Sequence, residues 1–159
     1  MLQIYFIFET MLHKPSFLHK FVYSNMTGKE LLISKSLRVT DFRLSVLDIF
    51  FSNDNAVSSD QIESSLGSFD RITLYRTLKS FKEKGVIHEI QIGDEDKRFA
   101  LCEEACEHEG HQHNHIHFHC SDCKEIYCLP LENSNYAPLN DFQVSSLEVQ
   151  ATGVCKNCR

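Results

Sequence analysis

Apolar residues recur at helical spacing after Thr40. Phe42, Val46, Leu47, Ile49 and Phe50 share one side of a helix that Thr40 is placed to cap. Ser58-Ser-Asp-Gln61 has the spacing of a capping box. The short helix it opens stops at Gly67, the residue type best suited to a left-handed C-terminal position. A third helix is expected over residues 71–84, closed by Gly85. On it Leu74, Thr77, Leu78 and Phe81 fall together and face the core, while Ile72, Tyr75, Arg76, Lys79 and Ser80 fall opposite. Three helices with a tight glycine-containing turn before the third is the helix-turn-helix order. The period then shortens. Ile87, Glu89, Ile90 and Ile92 form an extended run, Gly93-Asp-Glu-Asp96 a turn, and residues 97–101 the return. A hairpin after the third helix makes the unit a winged helix.

The second half begins near Cys102. Strands are expected over residues 116–119, 125–129 and 143–151, with loop or one short helix over 130–142. Two or three antiparallel strands are marginal alone. A metal and a partner subunit would supply what so small a core lacks. The predicted fold class is α+β. Residues 1–25 stand apart: Leu2-Gln-Ile-Tyr-Phe-Ile-Phe8 lacks a basic flank and a cleavage site and is too short to span a membrane. The expectation is an extension from an upstream start, disordered or absent in the cell, because Met26-Thr-Gly-Lys-Glu30 reads as an ordinary start. The alternative is an extra packed N-terminal segment.

At 42% hydrophobic and 24% charged, the 159 residues fit a globular chain of one ordinary domain or two small ones. The net charge of −6 argues against a nucleic-acid partner until it is mapped. Residues 99–159 carry three Lys/Arg against nine Asp/Glu, the whole of that excess, whereas residues 71–84 carry five Lys/Arg and one Glu. The cations therefore sit on the third helix, beside Ile72 and Tyr75. Apolar atoms suit thymine methyls and cations suit phosphates, so Arg71, Ile72, Thr73, Tyr75, Arg76 and Lys79 are the candidate DNA contacts. The competing reading packs Ile72 and Tyr75 on a neighbouring element.

Candidate chemistry is concentrated downstream. Cys120-Ser-Asp-Cys123 and Cys155-Lys-Asn-Cys158 each let two thiolates bite one ion, and together they complete the four-sulfur shell of a structural zinc. An odd cysteine count of seven, with paired Cys-x-x-Cys beside a histidine run, points to metal thiolates in a reducing cytosol. Histidines at 113, 115, 117 and 119 alternate along a strand and project one way. Cys102, Cys106, His108, His111 and Cys128 lie around them. An enzyme would need an open metal position with a general base. There is no His-Glu-x-x-His and no Ser/His/Asp order, and Glu103, Glu104, Glu107 and Glu109 sit in a polar run, so no catalytic residue and no small organic substrate are assigned.

Leu37-Arg-Val-Thr-Asp-Phe-Arg43, Arg71-Ile-Thr-Leu-Tyr-Arg-Thr-Leu78, the histidine run into Cys120 and Cys123, and the Cys155/Cys158 pair together resemble the ferric uptake regulator family over about residues 30–159. The resemblance implies a homodimeric, metal-responsive repressor. It divides the chain into a winged-helix DNA-binding domain (26–101) and a zinc-binding α/β dimerisation domain (102–159). It places a regulatory metal at the hinge, closing the dimer onto operator DNA. The family's iron-type pattern departs here: Asn114 and Ile116 interrupt the histidine–aspartate run, and acidic and histidine ligand positions fall at Ala100, Ala56 and near Leu147. His88, Cys102, His115 and His117 remain, with His113 and Cys128 as alternates, a set that looks like the zinc-sensing members. Sulfur in place of a carboxylate favours zinc over iron or manganese. The alternatives are an iron-responsive or a peroxide- or thiol-responsive regulator of the same family, or a zinc buffer without operator specificity.

Overall fold

The structure is a computed structural model, which describes residues 26–92, 97–102, 112–130 and 147–159. The expectations for residues 1–25, the 93–96 turn, residues 130–142 beyond Pro130, and the side chains of Cys106, His108, His111 and His113 lie outside the described residues.

Four helices lie in the first part of the described residues, each started by a capping side chain. Helix α1 (Gly28–Ser34) begins with a capping box: Thr27 accepts from the Glu30 amide, and the Glu30 carboxylate accepts from the Thr27 amide at 2.7 Å. Helix α2 (Asp41–Ser52) is capped by Thr40. The two-residue strand β1 (Val57–Ser58) runs into α3 (Ser59–Leu66), where Ser58 and Gln61 form the second capping box. Helix α4 (Arg71–Glu83) is capped by Asp70, whose carboxylate accepts from the Thr73 amide at 2.7 Å. At its far end Gly85 takes φ +60°. The Gly85 amide donates to Lys82 O and the Val86 amide to Phe81 O, a Schellman closure that needs the left-handed residue. Helix α1 closes by the same bonds, with Ser36 at φ +56° in the glycine-favouring place.

Strand β2 (Ile87–Ile90) and strand β3 (Arg98–Leu101) pair antiparallel, and β1 adds to β3, giving the order β1-β3-β2. One core joins this sheet to the helices: Leu31, Leu32, Val46, Leu47, Phe50, Ile62, Leu74, Leu78, Phe81 and Ile87 are all buried within it. Helices plus a hairpin form the winged helix that the periodicity predicts. Helix α1 and strand β1 were not expected, although Thr27-x-x-Glu30 carries the capping-box spacing.

A second sheet, ordered β5-β4-β6, follows from strand β4 (Gln112–Cys120), strand β5 (Ile126–Pro130) and strand β6 (Leu147–Gly153). Strands β4 and β5 are antiparallel, but β4 and β6 are parallel. The antiparallel expectation is corrected for β6. A parallel pair requires a crossover of about a dozen residues or more, and the chain between Pro130 and Leu147 is long enough to make one.

The two sheets meet at a small apolar seam of Ala56, Ile90, Ala100 and Ile126, with Cys128 packed against it. The Ala56 amide donates to Ile126 O at 3.0 Å, Asn55 Nδ2 to Glu125 Oε2 at 3.3 Å, and Gln150 Nε2 to Gln91 O at 3.1 Å. Ala56 and Ala100, which stand where the resemblance would have placed ligands, are thus part of this packing.

Candidate metal centres and nucleic-acid face

Alternation along β4 sets the first centre. His115, His117 and His119 are buried on one face of the strand, while Ile116 and Phe118 are half-buried on the other. Cys128 lies opposite His117 in the antiparallel register. His88 arrives from β2 in the first sheet and is also buried. The Nε2 atoms of His115 and His117 lie 2.9 Å apart, and His88 Nε2 is 3.3 and 3.2 Å from them. Cys128 Sγ completes the group at 3.7 Å from His88 Nε2.

Those spacings can be checked against a tetrahedral ion. Bonds of about 2.0 Å to nitrogen and about 2.3 Å to sulfur give edges of about 3.3 Å between nitrogens and about 3.5 Å between nitrogen and sulfur. The four donor atoms are therefore spaced to share one ion. Cys102 lies elsewhere: its Sγ is 3.8 Å from His88 Nδ1, on the far side of the ring. His88, His115, His117 and Cys128 converge, and Cys102 adjoins them without converging. His119, buried on the same strand face, is not part of the converging group.

The second centre joins the ends of two strands. After β4 the chain turns at Cys120 to Cys123, with the Lys124 amide donating to Cys120 O and Lys124 at φ +61°. After β6 it turns again, with the Cys158 amide donating to Cys155 O. All four sulfurs lie within 4.8 Å of one another. Cys123 Sγ and Cys155 Sγ are 3.8 Å apart, matching the edge of about 3.8 Å expected for a tetrahedral tetrathiolate. Burial pushes the Cys120 thiol up, but amides of Cys155, Cys123 and Asp122 aimed at its sulfur bring it down to about 6. The Tyr127 hydroxyl donates to Cys155 and lowers that thiol too. Cys158, facing the sulfurs of Cys155 and Cys123, is pushed up to about 12. Thiols this close resist ionising together, and a divalent cation removes that conflict.

Helix α4 presents the third feature. Leu74, Thr77, Leu78 and Phe81 are buried, whereas Ile72 and Tyr75 are 61% and 68% exposed beside exposed Arg71, Arg76 and Lys79. Among the described residues no element packs on Ile72 or Tyr75. The Thr73 hydroxyl donates to Asp70 Oδ2 at 2.7 Å, so this side chain is engaged in the helix cap. Arg71 lies 3.6 Å from Glu63 at high exposure.

Two residues that sequence reasoning passed over stand beside donors of these centres. Glu89 alternates with His88 on β2 and accepts from Lys82 of α4 and, at 2.6 Å, from Lys97 before β3. Tyr127 alternates with Cys128 on β5 and reaches the thiolate centre. The two-residue strand period places each on the face opposite its metal-facing neighbour.

The sequence profile of the ferric uptake regulator family matches residues 34–150. The chain is 28% identical over 132 residues to the peroxide-responsive repressor PerR of Staphylococcus aureus (strain Mu50 / ATCC 700699), spanning 77% of this chain and 83% of that protein. The Vibrio cholerae ferric uptake regulator superposes with a TM-score of 0.59 at 19% identity, covering 80% of this chain and 98% of that one. A zinc uptake regulator solved with zinc and DNA gives 0.56 at 20% identity, covering 82% and 89%. At these identities the structural likeness speaks for the fold. The names span peroxide, iron and zinc, so metal specificity rests on this chain's own donors.

Proposed function

The chain belongs to the ferric uptake regulator family, and on that premise we propose that it is a homodimeric, metal-responsive transcriptional repressor acting on operator DNA in the cytoplasm. No helix of the described residues is long and apolar enough to cross a membrane. In this reading residues 26–101 read DNA and residues 102–159 dimerise and hold metal. Cys120, Cys123, Cys155 and Cys158 hold a structural zinc that ties the end of β6 to the end of β4. His88, His115, His117 and Cys128 hold the regulatory ion, with zinc favoured because among the described residues the set is three imidazoles and one thiol with no carboxylate.

The observation that carries the proposal is the split of that set between two sheets. His115, His117 and Cys128 belong to β4 and β5, and His88 alone comes from the winged helix. A bound divalent ion supplies a cross-link between donors. His88, drawn to the other three, fixes the attitude of β2 and of the helix α4 that precedes it. Both α4 helices of a dimer then present Tyr75 and Arg76 at a set spacing, which selects half-sites separated by whole helical turns. Cys128 also supports a peroxide- or thiol-responsive reading, since oxidation of a ligating sulfur removes one donor, and the PerR relative favours it.

Operator titrations at buffered free Zn²⁺, Fe²⁺ and Mn²⁺ test the proposal. Zinc is expected to tighten binding most. His88→Ala should leave a folded dimer whose operator affinity no longer responds to zinc. Wild-type binding that ignores all three metals would overturn the repressor reading. Undiminished zinc response in His88→Ala would overturn the hinge assignment.

A further inference from the structure

Two cysteines stand on opposite sides of the His88 ring. Cys128 Sγ is 3.7 Å from Nε2, and Cys102 Sγ is 3.8 Å from Nδ1. The ring nitrogens cannot play the same part, because a neutral imidazole carries one proton and offers one lone pair. Only the tautomer with Nδ1 protonated leaves Nε2 free to join His115, His117 and Cys128. The sulfur facing that Nδ1 belongs to Cys102. It is held there firmly: Cys102 is 0% exposed, and its amide donates to Val86 O at 2.9 Å. Residue 100, two before it on β3, pairs with His88 itself.

We infer that Cys102 is a positioning residue and not a ligand: its sulfur accepts the Nδ1–H of His88 and so aims the bare Nε2 at the other three donors. Metal-bound histidines generally need such a partner on the second nitrogen, and losing one costs about 10–100-fold in metal affinity. A sulfur in this place differs from the usual carboxylate or carbonyl. It is a weaker acceptor, so His88 stays a less basic ligand and the site releases its ion more readily. The inference rests on the regulatory site proposed above and reverses the ligand role expected for Cys102 from the resemblance.

Cobalt titration of the full chain, with zinc already in the four-thiolate centre, separates the roles. The sulfur-to-cobalt charge-transfer band counts ligating thiolates. It should match one thiolate per added cobalt in wild type, persist in Cys102→Ser and vanish in Cys128→Ser. Chelator competition should show zinc affinity falling about 10–100-fold in Cys102→Ala, with most of it regained in Cys102→Ser, whose hydroxyl can also accept from Nδ1. Loss of the band in Cys102→Ser, or wild-type zinc affinity in Cys102→Ala, would overturn the inference while leaving the site standing. Wild-type protein that takes up no cobalt outside the four-thiolate centre would overturn the site, and the inference with it. Retained zinc in the four-thiolate centre and an unchanged dimer on sizing identify variants that have folded.

Discussion

Truncating Ile126 to alanine tests how the two sheets hold together. Ile126 is 1% exposed and, among the described residues, is the fully buried member that the second sheet contributes to the seam with Ala56, Ile90 and Ala100. Removing three carbons costs about 2.4 kcal/mol at ~0.8 kcal/mol per buried methylene. The cavity left behind raises this within the ~2–5 kcal/mol seen for Ile→Ala. The alanines across the seam are too short to refill the space. Because its buried neighbours in the cluster lie on the winged helix, most of the loss falls on docking and little on either unit's own core. A docking loss of about 2 kcal/mol lowers the population of the docked arrangement up to about 30-fold. Operator affinity without regulatory metal should fall by up to that factor in fluorescence anisotropy. Zinc should restore much of it, because His88, His115 and His117 lie outside the seam and Cys128 only packs against it, so the donors can still converge without Ile126. The ratio of zinc-loaded to zinc-free affinity therefore rises. Equal losses with and without zinc, in a variant whose melting curve is otherwise intact, would refute the reasoning.

Other outcomes follow from single features. Arg76→Ala should weaken operator and non-operator DNA alike and reduce the salt dependence by about one unit of slope, whereas Tyr75→Ala should also relax sequence preference, read by competition with mutated half-sites. Ser36→Gly should stabilise the fold by about 1 kcal/mol, raising Tm by a few degrees, because Ser36 sits at φ +56° where glycine is unstrained; an unchanged or lower Tm would count against it. Hydrogen bonds from Lys82 and then Lys97 hold the Glu89 carboxyl below its usual 4.5. A depressed carboxyl gives stability that is present above the unfolded value and lost as pH falls through the folded one. Glu89→Gln should therefore flatten the acid limb of the stability curve below about pH 4.5, with no change near neutrality beyond the lost ion pairs. Stripping zinc with a strong chelator should unfold the second sheet before the helices, seen as loss of β-sheet ellipticity while Phe81 and its neighbours stay protected from hydrogen exchange; simultaneous melting of both would contradict a separately stapled sheet.

Much of this architecture was legible because it is local. The caps at Thr40 and Ser58, the buried stripe of Leu74, Thr77, Leu78 and Phe81, and the alternation of His115, His117 and His119 each follow from neighbours a few residues apart. The thiolate centre was legible because Cys-x-x-Cys is itself a short-range signal. What could not be read was set by partners distant along the chain. Which sulfur faces Nε2 of His88 depends on how β5 registers against β4 and how both meet β2, and no periodicity encodes that. The parallel pairing of β6 depends on a crossover whose path the local pattern does not specify. Ala56 and Ala100 read as lost ligands in one dimension; in three they are the small side chains that let Ile126 approach β2 and β3.

The separation of the thiolate pairs has a consequence for how the chain matures. Cys155 lies 35 positions after Cys120, whose sulfur its amide contacts. A nascent chain that has emerged only as far as Pro130 can complete the winged helix and the β4–β5 hairpin, yet it holds half of a zinc shell. Under the proposed zinc assignment, prematurely terminated products would carry a complete winged helix on an unsealed sheet, and the metal would act as a late seal that distinguishes finished chains from fragments able to crowd the same operators.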